Sequence, residues 1–214
     1  MSRAAPAKRQ REKRRSTQVR QVELADAALQ IIATRGIAAL TTRTLAAQVG
    51  LTGGAIFRHF PSLSALLDAV VERVEAVLDT TYPPAGLPAR ERLERFIEAR
   101  SSAVGNQLGI LRLVSSEQFQ LALPNDGAAR LGRCAERTRA FLVGAIREAQ
   151  EEGTIRDDVE PAALSVVVMG TMRMLALSTA KAGPHGRPAE TKLVRRALAT
   201  LLEPPKPSRR KTPR

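Results

Sequence analysis

The chain has 214 residues, with 34 lysines and arginines against 21 aspartates and glutamates, a formal net charge of +13, and 43% hydrophobic residues. That is enough for one core, or for a small domain joined to a larger one, and too apolar for a disordered polycation. One cysteine, Cys134, and two histidines, His59 and His185, exclude an intrachain disulfide framework and a four-cysteine zinc site, so neither metal nor cofactor is expected.

The charge is unevenly placed. Residues 1–20 hold eight basic side chains and one acid, a net +7, and residues 203–214 hold five against one, a net +4, which leaves +2 for the 182 residues between them. Both ends are poor in large apolar groups and read as flexible, either as solvated ends or as direct contacts for a polyanion.

From Val22 the apolar positions Ala25, Ala28, Leu29 and Ile32 recur at helical spacing, and Gly36 is placed to stop that helix. Thr41 offers a cap to a short helix carrying Leu45, Ala46 and Val49, which Gly50 ends. Thr52 is the next cap, for a helix predicted over Gly53–Phe60 that Pro61 closes. Helices of this length joined by tight turns read as a helix-turn-helix unit. Leu66, Leu67, Val70, Val71, Val74 and Val77 then stripe a longer helix that ends near Tyr82, Pro83 and Pro84. Further helices are predicted over 88–104, 107–121, 126–152, 161–180 and 189–202, with no alternating β pattern, so the fold is all-α. The longest apolar run, Leu164 to Leu177, is interrupted by Ser165, Thr171 and Arg173 and is too short to span a membrane. No apolar run follows the charged N-terminal residues, so no secretory signal is expected and cytoplasmic residence, near the chromosome, is the expectation.

The segment LTTRTLAAQVGLTGGAIFRHF, Leu40 to Phe60, resembles the DNA-binding signature of the tetracycline-repressor (TetR) family of bacterial regulators. Thr42, Leu45, Ala46, Val49, Gly50, Leu51, Thr52, Gly54, Ile56, His59 and Phe60 carry the resemblance, which is specific over about residues 20–70. It implies a basic arm (1–20), a helix-turn-helix domain (21–66), a helical effector-binding and dimerisation domain (67–202) and a basic tail (203–214). It further implies a repressor that binds a palindromic operator in double-stranded DNA as a homodimer, through the helices at 161–180 and 189–202, and is released by a small-molecule effector. A second reading keeps the fold but replaces the small molecule with a protein partner, as in nucleoid-occlusion factors of the family. An enzyme is not expected: the sequence has no phosphate-binding glycine loop, no Cys-x-x-Cys and no histidine pair at ligand spacing.

The second helix of such a unit enters the major groove. Gly53, Gly54 and Ala55 permit close approach, and the Ala55 methyl suits a thymine methyl. Arg43 and Arg58 are candidates to read guanine, the alternative for both being a phosphate or surface contact. Thr42, Thr52 and His59 match family positions that bind phosphate, although Thr52 also suits a cap and His59 also suits packing between helices. Phe57 stands where the family usually has Tyr, and loses a hydroxyl donor. From 21 to 66 only Arg35, Arg43 and Arg58 oppose Glu23 and Asp26, so the folded head is poor in cations and the arm is the expected source of attraction. By the same resemblance Phe96, Leu111, Phe119, Phe141, Met169 and Met172 are candidates to line an effector pocket, with ordinary core as the competing account. Arg173, within an apolar run, asks for an acid, a carbonyl or an anionic ligand.

Overall fold

The computed structural model describes residues 5–106, 110, 121–181 and 188–205, all helical or irregular, with no strand among them. Eight α-helices are present among the described residues: α1 (Ala5–Arg35), α2 (Thr42–Val49), α3 (Gly53–Phe57), α4 (Leu63–Asp79), α5 (Ala89–Asn106), α6 (Gly127–Glu151), α7 (Pro161–Lys181) and α8 (Pro188–Leu202). The helix expected over 107–121 falls almost wholly outside the described residues, as does most of the C-terminal tail.

Two expectations need correction. α1 begins at Ala5, so the basic segment expected to be a flexible arm is helical from there. Residues 7–15, AKRQREKRR, are all strong helix formers, and this local propensity outweighs the repulsion expected from the charge run. The second correction is the length of α3, which ends at Phe57 rather than Phe60. Pro61 disfavours helical geometry at the residue before it, and the chain finishes instead with turn bonds from His59 N and Phe60 N to Ile56 O, at 2.9 and 3.0 Å.

The chain forms two compact units, Met1–Thr80 with Ala103–Cys134, and Thr81–Ser102 with Ala135–Arg214. In the first, Leu24, Ala28 and Ile32 of α1 meet Leu45 of α2, Ile56 of α3, Phe60, and Leu66, Val70 and Val74 of α4, all buried. Charged pairs fix the helices around this core. Arg73 donates from Nε and Nη2 to the two carboxylate oxygens of Asp26, at 2.7 and 3.2 Å, joining α4 to α1. Arg130 pairs with Glu75, and Asn125 Nδ2 donates to Asp68 at 2.9 Å.

The second unit buries Leu93, Phe96 and Ile97 of α5 against Leu142 and Ile146 of α6, Val168 and Met172 of α7, Leu198 and Leu202 of α8, and Ile155 from the segment between α6 and α7. The C-terminus of α8 is closed from outside the helix. Arg156 N donates to Leu202 O at 2.8 Å and Arg156 Nη1 to Leu201 O at 3.3 Å, so a cation meets carbonyls left without partners in their own helix. The same guanidinium donates two 2.8 Å hydrogen bonds to Asp158, which hold that carboxyl below its ordinary value.

The turn between α2 and α3 depends on one residue. Gly50 has φ +67° and ψ +32°, a left-handed conformation that costs a residue with a Cβ about 1–2 kcal/mol. A Cβ at this position would meet no atom within 4 Å, so the penalty is one of backbone conformation alone. Gly50→Ala should therefore lower unfolding free energy by about 1–2 kcal/mol in a denaturant titration.

Candidate nucleic-acid interface

The interface is built by capping. Thr41 Oγ1 accepts from Thr44 N at 3.1 Å while Thr44 Oγ1 accepts from Thr41 N at 2.9 Å, a reciprocal box that starts α2. Thr44 Oγ1 also donates to Ala39 O at 2.6 Å, tying the cap to the preceding turn. At the other end, Gly50 N and Leu51 N both bond Ala46 O, and half-buried Leu51 packs against the core. Thr52 Oγ1 then accepts from Ala55 N at 3.3 Å and starts α3. Leu45, Ala46 and Ile56 anchor the two helices from below.

With those three side chains turned inward, another set of motif residues faces outward. Arg43, Thr52, Gly54, Phe57 and Arg58 are exposed, and Thr42, Gly53 and Ala55 are half-buried. Phe57 is 52% exposed, a large apolar ring in water at the end of α3. The glycines are informative in a different way. Gly54 has open space where a Cβ would be, and a Cβ on Gly53 would meet only the Thr42 methyl at 3.6 Å. Neither has a positive φ. The folded chain thus accepts side chains at both positions, although each glycine costs about 1 kcal/mol against alanine inside a helix.

His59 is half-buried, and its Nδ1 is enclosed with no hydrogen-bond partner among the described residues. Its carbonyl accepts from Gln21 Nε2 at 3.1 Å, linking the turn after α3 to α1. It borders an open cleft of about 600 Å³ that Gln18, Gln21, Asp68 and Arg73 also line. Gln21, Thr44 and the Asp26–Arg73 pair are supports that the sequence reading missed. Thr41-x-x-Thr44 has capping-box spacing, though with threonine in place of the usual acid; the other two join residues 38 and 47 positions apart, for which no local pattern exists.

Of the candidate effector residues, Leu111 and Phe119 lie outside the described residues. Phe96 and Met172 are buried, and Phe141 and Met169 pack against the same core. The Phe96 and Phe141 rings are 4.5 Å apart, Tyr82 lies 5.2 and 5.4 Å from them, and the buried Arg100 guanidinium sits 4.9 Å from the Phe96 ring and 5.1 Å from the Tyr82 ring. Arg173 is exposed on α7.

No described helix is long and apolar enough to cross a membrane, and no group of metal-ligating side chains occurs among the described residues. A left-handed glycine between two short capped helices, with a small-residue outer face, defines a helix-turn-helix DNA-binding protein. Residues 24–70 match the profile of bacterial regulatory proteins of the tetR family, and the chain belongs to that family of DNA-binding transcriptional regulators, which are not enzymes. It is 24% identical over 144 residues to the HTH-type transcriptional repressor KstR2 of Rhodococcus jostii, an alignment covering 66% of this chain and 70% of that protein. It is 29% identical over 112 residues to the nucleoid occlusion factor SlmA of a Marinomonas strain, covering 52% of this chain and about half, 49%, of the relative. The solved structure of AibR in complex with isovaleryl coenzyme A and operator DNA superposes with a TM-score of 0.67 at 18% identity, over 87% of this chain and all of that one, a likeness of fold.

The Thr52 hydroxyl accepts the cap bond and keeps its own proton for a second partner. Thr52→Ala should cost about 1 kcal/mol of stability and weaken DNA binding, whereas Thr52→Asp should keep the cap and the stability yet lose affinity for DNA. Thermal denaturation and gel-shift titration of the two variants separate the roles.

Proposed function

We propose that this regulator is a homodimeric repressor that binds a palindromic operator and is released by a small-molecule effector. The observation that carries the DNA half is the outer face of α2 and α3. Two glycines that the folded chain does not require stand beside exposed Arg43, Thr52, Phe57 and Arg58. Small size there serves what approaches from outside, and duplex DNA in a major groove demands such approach. In this reading Arg43 and Arg58 face base edges, Thr42 and Thr52 donate to phosphates, Ala55 and Phe57 supply apolar contact to thymine methyls or sugars, and His59 supports the end of the reader beside the phosphate backbone. The reader itself is nearly neutral, so the basic N-terminal part of α1 supplies the long-range attraction.

The dimer rests on a separate feature. Along α7, Val166, Val167 and Met174 are 62, 51 and 60% exposed, and along α8, Leu193 and Leu201 are 67 and 59% exposed. Val166, Gly170, Arg173 and Met174 on α7, and Leu193, Val194, Ala197 and Leu201 on α8, recur at three- and four-residue steps and so form one stripe on each helix. α7 packs against α8, and in this reading the two stripes, apolar apart from Arg173, together form the face that meets a second copy, with small Gly170 and Ala197 near the middle of each. Two such faces related by a twofold axis make a four-helix interface. The paired readers then meet half-sites one helical turn of DNA apart, and the dimer works where the chromosome is.

Repression accords with the likeness to a transcriptional repressor, and effector release with the fold shared with a regulator solved with an acyl-coenzyme A and its operator. Candidates for the effector site include the Phe96, Phe141, Met169 and Met172 cluster. The likeness to a nucleoid occlusion factor favours the second reading, a DNA-bound protein acting through a protein partner. Genome-wide mapping of binding sites decides between them: one or a few promoters support the repressor, and many dispersed sites support the alternative.

Two substitutions test the proposal directly. Arg43→Ala should cost about 1–3 kcal/mol of operator binding and relax preference at one base pair; uniform weakening across all sequences contradicts base reading. Leu201→Glu combined with Met174→Glu should convert the dimer to a folded monomer in analytical ultracentrifugation and sharply weaken binding to a two-half-site operator. A variant still dimeric places the interface elsewhere.

A further inference from the structure

A cleft of about 420 Å³ opens in the second unit between α5 and α8, and neither Phe96 nor Phe141 is among its lining residues. Its floor is apolar, made by Leu93, Ile97, Ile155, Leu198 and Leu202, all buried. Its rim is charged, and the charges are unequally matched. Glu94 is held by Arg90 at 3.0 Å and Glu98 by Arg195 at 2.8 Å, so both acids are neutralised in place. Lys192 and Arg196 are exposed on the same rim, and their side chains make no hydrogen bond or ion pair with any described residue. Arg195 Nε is enclosed and has no acceptor among the described residues. An apolar floor under surplus positive charge, with one buried donor unused, suits a ligand that brings an apolar chain and an anionic head.

The cleft also stays accessible in the proposed dimer. At 3.6 residues per turn, Lys192, Arg195, Arg196 and Ala199 fall on one side of α8, and Leu193, Val194, Ala197 and Leu201 fall on the opposite side. One face of the helix is available to a second copy of the chain while the other lines the cleft.

We propose that this cleft binds an anionic amphiphile, its chain lying on Leu93, Ile97 and Leu198 and its head held by Lys192, Arg196 and the Arg195 Nε–H. The inference deepens the effector reading and rests on it for the consequence of binding, not for binding itself. The shared chemistry is an apolar chain with an anionic head, and two probes separate its sources: octanoate, whose anion is the carboxylate, and octanoyl-coenzyme A, whose anions are phosphates. Calorimetric titration of the full chain with each probe should give one site per protomer for at least one of them. Lys192→Glu with Arg196→Glu should weaken that binding at least tenfold, and Ala199→Trp, which fills the cleft, should abolish it, with circular dichroism unchanged in both. Two results overturn the proposal: neither probe binds the unaltered protein, or binding is indifferent to both variants. The effector reading fails separately, and leaves this site standing, if the probe binds in the cleft yet does not release DNA selected by the protein in vitro.

Discussion

A single backbone conformation at Gly50 sets the geometry of the helix-turn-helix. Its left-handed φ brings α3 back across the end of α2, directs two amides onto Ala46 O, and lets Leu51 close over the core. With the turn at this angle, Ile56 of α3 joins Leu45 and Ala46 of α2 on the buried side, while Gly54, Phe57 and Arg58 are exposed as Arg43 is. The paired capping threonines, Thr41 with Thr44 and Thr52 with the Ala55 amide, hold the two short helices at lengths where neither would persist alone.

Local signals in the sequence were readable because the physics behind them is local. Caps, the glycine turn and the 3.6-residue stripes of α4, α6 and α8 each involve neighbours within a few positions, and their helices appear where those patterns place them. The start of α1 departs from the expected arm because the helix propensity of residues 7–15 outweighs their mutual repulsion. α3 ends three residues before the expected Phe60 because Pro61 disfavours helical geometry in the residue before it. Supports such as Asp26–Arg73, Arg130–Glu75 and Arg195–Glu98 join positions 47 to 97 apart, and nothing in the sequence marks those partners. Phe96, Phe141 and Met172 are recognisable as large apolar groups on helical faces, but the contacts of the Tyr82 ring with Phe96 and Phe141 arise only from the packing of segments 14 and 59 positions apart.

α8 shows how one helix can serve two surfaces. Its carbonyl end is fixed by Arg156, one side carries an apolar stripe and the other carries three cations beside a cleft. The separation matters because an apolar stripe in water favours association without regard to charge, whereas cations left without acids favour anions of many kinds. Placing the two on opposite sides of a cylinder keeps each surface specific. The overall +13 divides in the same manner: the ends of the chain hold most of it, and within the second unit the excess gathers at the cleft.

The aromatic cluster of the second unit has an optical consequence. The chain has no tryptophan and one tyrosine, Tyr82, whose ring contacts Phe96 and Phe141. Native tyrosine emission and the tyrosine band of the near-ultraviolet dichroism therefore arise from one place, inside the second unit, while far-ultraviolet dichroism sums over every helix. Comparing the two signals through an unfolding transition reveals whether the reader and the second unit melt together or apart, with no label attached.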